Sequence, residues 1–396
     1  MDIKPERFLA DLRELRTFGA CGTGVIRPAF SDADIAARRW YADRCTGAGL
    51  EARIDSAGNV WGLAAGRGIL TGSHTDTQPE GGWLDGALGT IAGLEVARAA
   101  REAGGPPISA VSFQDEEGRF GALTGSDIWS GRLTVVAADG LRADDGATFG
   151  DARRGLPSTG KAPSSTMFTG FIELHIEQGP VLDTSGETLG VVTDIVGARQ
   201  MTVRFAGEQN HAGTTPMRLR RDAVTGFAAF HAELKQCFGA HLGADTVWTI
   251  GQVDVRPNAS SVVPGEVRFT VQWRDPSEAR LSDMEAAARA AVTKVAAAHH
   301  LEASISDAWA LSPAKMDARL VDACAGAAEG VAPGRWRRMI SGAIHDARNV
   351  ARLMPSAMLF VPSIGGVSHT FDEDTREKDL VAGLRALAAA AAQISG

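Results

Sequence analysis

Histidine and carboxylate side chains occur together in five short segments of the sequence. These segments are GSHTDT (72–77), GGWLDG (81–86), QDEEG (114–118), ELHIEQG (173–179) and GGVSHT (365–370). They offer imidazole and carboxylate donors without a thiolate, a set that suits zinc, manganese, cobalt or nickel in a hydrolytic site. The candidate residues are His74, Asp76, Asp85, Glu116, Glu117, His175 and His369. The pattern predicts a metal-dependent hydrolytic centre assembled from distant parts of the chain.

The adjacent Glu116 and Glu117 are the most informative pair in this set. Two neighbouring carboxylates repel each other unless a cation separates them or their roles differ. One could therefore bind a metal ion while the other transfers protons. Asp76 follows His74 by two residues, so in an extended segment both side chains lie on one face and Asp76 could orient the imidazole. An ordinary turn-forming aspartate is the alternative for Asp76.

The segment ELHIEQG is expected to be a strand. Alternation along it would place Glu173, His175 and Glu177 on one face, opposite two apolar residues. His175 could then be a metal ligand or a hydrogen-bonded core histidine, and the segment alone does not distinguish these possibilities.

The elements that must position these residues follow an α/β order. Apolar residues recur at helical spacing after a Ser-x-x-Asp capping sequence, which predicts a helix over 31–50. Apolar residues with the same spacing predict a second helix over 86–103. Apolar runs at 69–72 and 108–114 are typical of buried strands. Ligands commonly bind where the strands of such sheets end, which is where the histidines and carboxylates stand. We predict an α/β fold with a mostly parallel sheet in the catalytic domain.

The pattern changes near residue 199. From 199 to 309 the predicted order is strand, helix, strand, strand, helix, strand, which is typical of an open-faced αβ sandwich. The strand VRFTVQW in this region alternates sharply, as an antiparallel strand with one exposed face does. We therefore predict a catalytic domain in two parts, 1–198 and 310–396, interrupted by a smaller domain at 199–309.

Composition restricts the classes of partner. The 396 residues include 40 lysines and arginines against 48 acidic residues, a net charge of −8 without a basic run, which argues against a nucleic-acid surface. Four widely spaced cysteines indicate neither a disulfide framework nor a thiolate zinc site. The sequence has neither a signal-peptide pattern nor an apolar stretch of membrane-spanning length. We expect a cytoplasmic protein that binds neither nucleic acid nor membrane.

Eight ordered segments resemble the hydantoinase/carbamoylase branch of the dinuclear aminoacylase-like metallopeptidases. They span about residues 70 to 375 and read GSHTDT, GGWLDGALG, DEEG, ELHIEQGP, NHAGTTPMR, RPNASSVVPG, SGAIHDA and VPSIGGVSH. That branch includes N-carbamoyl-L-amino-acid hydrolases, β-ureidopropionases and allantoate amidohydrolases. The resemblance implies a catalytic domain with two divalent metal ions and an inserted lid that also forms a homodimer.

The resemblance also implies a role for each matching residue of the metal centre. The implied ligands are His74 and His175 for one ion, Glu117 and His369 for the other, and Asp85 between the two. Glu116 is the implied general base, and we also assign a catalytic role to Asp76 because it could orient the His74 imidazole. Two cations that share Asp85 would activate water and stabilise the tetrahedral intermediate.

Further positions match substrate-contacting residues of the branch. They are Gln178, His211, Asn258, Arg274 and Gly366. His211 is implied to reach across the homodimer and stabilise the developing oxyanion in the partner's site. Arg274 is suited to a substrate carboxylate because a guanidinium can donate two parallel hydrogen bonds, although a salt bridge with the neighbouring Asp275 is an alternative.

The expected reaction is cleavage of the C–N bond of an N-carbamoyl or similar N-acyl amino acid with a free carboxylate. Ile344 replaces the glycine common in SGAGHDA and should reshape the substrate pocket. A dipeptidase or aminoacylase of the same superfamily, which releases no ammonia, is an alternative. A catalytically inactive dimer that binds a small ligand is another, but it predicts loss of ligands or base, and the sequence retains them all.

Overall fold

The computed structural model describes residues 1–395, so residue 396 of the predicted second catalytic segment lies outside the described part. The strands, in chain order, are β1 (Ala20–Cys21), β2 (Gly24–Val25), β3 (Glu51–Ile54), β4 (Val60–Leu63), β5 (Gly68–His74), β6 (Ile108–Phe113), β7 (Phe168–Ile176), β8 (Leu189–Ile195), β9 (Gly197–Ala206), β10 (Asn210–His211), β11 (Val247–Arg256), β12 (Val262–Val263), β13 (Glu266–Asp275), β14 (Glu302–Leu311), β15 (Ala314–Lys315), β16 (Trp336–Ser341) and β17 (Ser356–Val361). The helices are α1 (Pro5–Thr17), α2 (Asp32–Gly47), α3 (Ala87–Glu102), α4 (Thr124–Trp129), α5 (Val135–Ala138), α6 (Phe149–Ala152), α7 (Val181–Ser185), α8 (Ala223–Gly239), α9 (Glu278–Ala298), α10 (Ala318–Val331), α11 (Ala347–Val350) and α12 (Glu377–Ser395).

The chain divides into two compact units. The first comprises residues 1–193 and 315–395, and the second comprises Asp194–Ala314. The insert expected at 199–309 falls within the second unit. That unit is longer at both ends because β9 and β14 remain paired as far as Ala198 and Leu311. Among the described residues, no helix combines the length and the apolar character needed to cross a lipid bilayer.

A nine-stranded sheet forms the centre of the first unit. The strand order is β15-β8-β17-β7-β5-β6-β4-β3, with β16 paired to β8. The four strands β17, β7, β5 and β6 are parallel to one another, whereas β8, β4 and β3 pair antiparallel to their neighbours. The strands β5, β6 and β17 are buried along their whole length, as strands covered on both faces must be. The predicted α/β class with a mostly parallel central sheet is confirmed.

Helix α3 packs closely against β5 and β7, the strands that contain His74 and His175. Residues 87–100 of this helix are buried. Gly89 permits the close approach, because a Cβ at this position would lie 2.2 Å from the backbone oxygen of Leu174 in β7. The helix begins two residues after Asp85, so its packing also fixes the loop that contains this predicted ligand.

The second unit is built on the four-stranded antiparallel sheet β11-β13-β9-β14. Alternate residues of β13, from Val267 to Trp273, are buried and pack with residues of α8 and α9 in one apolar core. Arg268, which lies between two of these core positions, is exposed. This alternation produces a sheet with helices on one face, the open-faced αβ arrangement expected from the sequence.

Candidate metal centre

Five predicted ligands lie together where the parallel strands of the first unit end. His74 is the last residue of β5, and His175 is the penultimate residue of β7, whereas Asp85, Glu117 and His369 lie in loops after β5, β6 and β17. The donor atoms form two groups, each within 4.8 Å, namely His74–Asp85–His175 and Asp85–Glu117–His369. Asp85 belongs to both groups, as a carboxylate shared by two cations would.

The Asp85 carboxylate lies between three imidazoles. Its Oδ1 is 3.1 Å from Nε2 of His175 and 3.5 Å from Nε2 of His74. Its Oδ2 is 3.3 Å from Nε2 of His369. The backbone N–H of Asp85 donates to the buried carboxylate of Glu373 at 3.0 Å, which fixes the loop. Because the two oxygens face different histidines, this carboxylate has the geometry to bridge two ions.

The two buried histidines present the same ring nitrogen to Asp85. Nδ1 of His74 lies 3.0 Å from the backbone oxygen of Asp76, and Nδ1 of His175 lies 2.9 Å from that of Ile176. A carbonyl oxygen can only accept, so Nδ1 carries a proton, and in the neutral ring Nε2 keeps its lone pair. This tautomer is the one that a metal ligand requires, and the donor set therefore fits divalent ions.

Asp76 contacts His74 as expected, but through its backbone oxygen and not through its carboxylate. The backbone oxygen of Asp76 orients the ring, whereas the nearest carboxylate oxygen is 3.9 Å from Nδ1. The carboxylate instead accepts the backbone N–H of Glu117 at 3.1 Å. Asp76 therefore connects the loop after β5 to the loop after β6.

The adjacent glutamates occupy different positions around the centre. Oε2 of Glu117 lies 3.6 Å from Nε2 of His369 and accepts a hydrogen bond from Nε2 of Gln78 at 2.7 Å. Oε2 of Glu116 lies 3.6 Å from Nε2 of His74, but Glu116 belongs to neither ligand group. A carboxylate that faces the centre without completing a ligand group is placed to transfer protons.

The centre contains an excess of buried carboxylate. Burial raises the pKa of Glu116 well above its ordinary value, and burial together with Asp85 raises the pKa of Glu117 to about 7. Burial opposes protonation of His74, but Glu116 and Asp85 outweigh it and raise the pKa of this imidazole. Contact with Asp85 raises the pKa of His369 to about 9. Protons are thus attracted where cations would bind, so metal binding should release protons.

A third group, Glu173–His175–His345, also has donor atoms within 4.8 Å of one another. The Glu173 carboxylate already accepts hydrogen bonds from Ser73 Oγ at 2.6 Å and from the backbone N–H of Ala347 at 2.9 Å. The ring of His345 packs edge-on against His175, with centroids 4.5 Å apart. These contacts orient His175 and do not require another ion. The sequence analysis missed His345, although it lies in the SGAIHDA segment.

Glu177 does not continue the face formed by Glu173 and His175. Strand β7 ends at Ile176, and the Glu177 carboxylate accepts the first backbone N–H groups of α7, at 2.8 Å each. The strand periodicity expected through this residue is therefore wrong, because β7 ends one residue earlier.

Gln178 and Gly366 lie beside the metal centre. Nε2 of Gln178 donates to Oδ2 of Asp85 at 2.8 Å and lies 3.2 Å from Nε2 of His369. Gly366 has a φ of 71°, and a Cβ there would lie 2.7 Å from Cβ of Pro180. Both predicted substrate contacts are thus within the loops that surround the ligands.

His211, the last residue of the short strand β10, and Asn258, in the loop after β11, are both exposed in the second unit. Nδ1 of His211 accepts the backbone N–H of Gly213 at 3.0 Å and that of Thr214 at 3.2 Å. Nε2 of the neutral ring therefore carries the proton and can donate a hydrogen bond. Asn258 is exposed, with a φ of 58°.

Arg274 lies in β13 of the second unit and is partly buried. Its Nε donates to Oε1 of Gln272 at 3.2 Å, and burial lowers the pKa of its guanidinium. The neighbouring Asp275 is paired with Arg280, whose Nη1 is 2.9 Å from Oδ1 of the aspartate. The aspartate proposed as an alternative partner of Arg274 is thus bound to a different arginine.

We expect Gly86→Ala to lower metal affinity at least about tenfold, because it displaces the His74 ring. Gly86 has a φ of 63°, and a Cβ there would lie 2.4 Å from three ring atoms of His74. Gly47→Ala is the control, since a Cβ at this helical position meets no described atom within 4 Å. Metal titration and thermal unfolding compare the two variants. Wild-type affinity in Gly86→Ala would show that His74 binds no metal from this position.

Comparison with known proteins places this chain in a family. The profile of "Peptidase family M20/M25/M40" matches residues 70–393. A solved structure of an amidase of the hydantoinase/carbamoylase family from Burkholderia phymatum is similar over 100% of this chain and 98% of its own, with 43% identity and a TM-score of 0.92. These matches confirm the resemblance that the eight sequence segments indicated.

Two curated relatives are similar over almost their whole length. An N-carbamoyl-L-amino-acid amidohydrolase from Paenarthrobacter aurescens is 35% identical over 393 residues, covering 95% of this chain and 94% of the relative. An allantoate amidohydrolase from Escherichia coli is 35% identical over 391 residues, covering 94% of each. The chain therefore belongs to peptidase family M20/M25/M40, whose members are metal-dependent hydrolases.

Proposed function

We propose that this protein is a dinuclear metal-dependent amidohydrolase that cleaves a C–N bond of an N-carbamoyl amino acid or a similar N-acyl amino acid with a free carboxylate. The observation that carries the proposal is the position of Asp85, whose two oxygens face the histidines of two ligand groups. The relatives named for N-carbamoyl-L-amino acids and for allantoate support a ureido acid as substrate. The retained ligands and Glu116 argue against an inactive ligand-binding dimer.

The side chains of the centre have separate tasks in this reaction. The two ions, when bound by His74, His175, Asp85, Glu117 and His369, would polarise the substrate carbonyl and activate water for attack. Glu116 takes the proton from the attacking water and returns it to the departing nitrogen. Its carboxylate lies beside His74 at 3.6 Å, outside both ligand groups. The charge of the ions would favour the ionised form that accepts this proton.

The remaining predicted residues bind substrate in this proposal. Arg274 pairs with the substrate carboxylate, and Asn258, Gln178 and Gly366 provide further polar contacts. His211 donates from Nε2 to the developing oxyanion in the partner's site, so the second unit acts as lid and dimerisation domain of a homodimer. Support comes from the hydrogen bonds that leave Nε2 of His211 as the protonated nitrogen. A cytoplasmic location is also part of the proposal.

Metal removal and restoration test the proposal directly. We expect chelation to abolish hydrolysis of N-carbamoyl amino acids, and zinc, manganese, cobalt or nickel to restore it. Metal at about a hundred times its Kd should also stabilise the fold by about 2.7 kcal/mol for each site, measured as a higher melting temperature. Full activity after complete metal removal would contradict the proposal.

The nitrogen product separates hydrolysis of a carbamoyl group from the dipeptidase or aminoacylase alternative. Hydrolysis of a carbamoyl group releases ammonia, whereas hydrolysis of a dipeptide or an N-acyl amino acid releases an amino acid without ammonia. A panel of ureido, acyl and dipeptide substrates, assayed for both products, therefore assigns the reaction. Turnover of dipeptides alone would identify a peptidase.

A further inference from the structure

Arg38 in α2 has a side chain that is 0% exposed. Its Nε donates to both oxygens of Asp34, at 2.9 and 3.1 Å, and Oδ2 of Asp34 also accepts a hydrogen bond from Nε2 of Gln114 at 2.9 Å. Removing a guanidinium from water carries a large desolvation penalty that a single ion pair often fails to offset. The other contacts of this guanidinium indicate its role.

The Arg38 guanidinium connects the ends of two neighbouring strands. Nη2 donates to the backbone oxygen of Phe113, the last residue of β6, at 2.8 Å. It also lies 3.4 Å from Oδ1 of Asp76, in the loop after β5. Nη1 is 3.3 Å from the backbone oxygen of Ser112 in β6. One side chain thus contacts both the loop that follows His74 and the strand that leads to the two adjacent glutamates.

Asp76 extends this contact to both ligand groups. Its backbone oxygen accepts from Nδ1 of His74 at 3.0 Å, and its Oδ2 accepts the backbone N–H of Glu117 at 3.1 Å. Its Oδ1 faces Arg38. A single aspartate therefore contacts one predicted ligand of each ion, and Arg38 holds that aspartate against β6.

We propose that Arg38 is a positioning residue that fixes the separation of the two ion sites and the distance of Glu116 from them. This inference rests on the proposed function, because it requires two ions. The planar guanidinium contacts Asp34, Asp76 and the end of β6 at once, whereas the ammonium of a lysine is a point charge on a flexible stem. Arg38→Lys therefore keeps the positive charge but loses the planar group that makes these contacts simultaneously.

Manganese binding provides a readout that is independent of turnover. We expect Arg38→Lys to lower Mn²⁺ affinity by about 10- to 100-fold. We also expect the electron paramagnetic resonance signal of a spin-coupled pair to be replaced by that of isolated ions. Arg98→Lys is the matched control, because Arg98 is also buried but pairs with Asp11 at 3.0 Å and Glu95 at 3.3 Å. The control should keep wild-type affinity and coupling even if its melting temperature falls.

A double-mutant cycle tests whether Arg38 acts through Asp76. If both residues support one connection, Arg38→Lys combined with Asp76→Asn should lower Mn²⁺ affinity little more than the larger single change does. Fully additive losses would overturn this connection. Equal affinity and coupling in Arg38→Lys and Arg98→Lys would overturn the positioning role, while a wild type that needs no metal would instead overturn the proposed function.

Asp34→Asn gives the same test if Arg38→Lys does not fold. This variant keeps the guanidinium but neutralises the carboxylate that anchors it. We expect the spin coupling between the two Mn²⁺ ions to weaken in this variant too, but by less than in Arg38→Lys. Unchanged affinity and unchanged coupling in folded Asp34→Asn would overturn the proposal.

Discussion

Glu116→Gln should lower kcat by about 10²- to 10⁴-fold while metal content and melting temperature remain close to those of the wild type. The amide has the size of the carboxylate but cannot take a proton from water. Glu116 belongs to neither ligand group, so its replacement leaves the donors of both ions in place. Steady-state kinetics combined with metal analysis of the same preparation measures both effects.

Glu117→Gln is the matched comparison, because it makes the same chemical change one residue later. Glu117 lies within the group formed with Asp85 and His369, and its Oε2 is 3.6 Å from the histidine. We therefore expect this variant to lose one ion and, with it, activity. If Glu116→Gln lost metal and Glu117→Gln kept it, the roles of the two glutamates would be the reverse of those proposed.

Asp85→Asn should have the largest effect on metal binding, with affinity lowered at least about a hundredfold at both sites. Asparagine provides one neutral oxygen, and its NH₂ group would face an imidazole nitrogen that carries a lone pair. Both ligand groups depend on Asp85, so the change should remove the pair of ions and the metal-dependent rise in melting temperature. Metal titration by calorimetry and thermal unfolding with and without metal measure these losses.

Asp55→Asn is the control for removing a buried aspartate elsewhere in the first unit. Its Oδ2 accepts hydrogen bonds from Asn59 Nδ2 at 3.0 Å and Trp61 Nε1 at 2.9 Å, and its Oδ1 accepts two backbone N–H groups. We expect a loss of about 1–3 kcal/mol of stability with unchanged metal binding. An Asp85→Asn protein that binds metal as tightly as Asp55→Asn would exclude the shared-carboxylate centre.

Local patterns predicted the elements that position the site. The Ser31 hydroxyl accepts the backbone N–H of Asp34 at the start of α2, which is the capping contact that the Ser-x-x-Asp pattern indicates. The strand predicted over 108–114 and the helix predicted over 86–103 occur as β6 and α3. Capping and periodicity depend on residues close together in the chain, so they can be identified from a single sequence.

Contacts between distant segments were not predictable in the same way. Arg38, Gln78 and Glu373 contact the ligand loops from separate parts of the chain, and their local sequences contain no signal for this. The alternation of the strand also wrongly predicted the position of Glu177, because β7 ends before this residue and its carboxylate binds the start of α7. The candidate ligands were recognisable as clusters of imidazole and carboxylate, whereas the role predicted for each of them came from the resemblance to the family.

The first unit contains predicted ligands from both sides of the inserted second unit, since His74 precedes that unit in the chain, His369 follows it, and both lie beside Asp85. Ions held there would act as cross-links that close a very long loop. A cross-link of this kind removes conformations from the unfolded chain, and the gain grows slowly with loop length. Resistance to proteolysis and the rate of unfolding should then depend on metal supply, so that scarcity of metal shortens the lifetime of the protein as well as its activity.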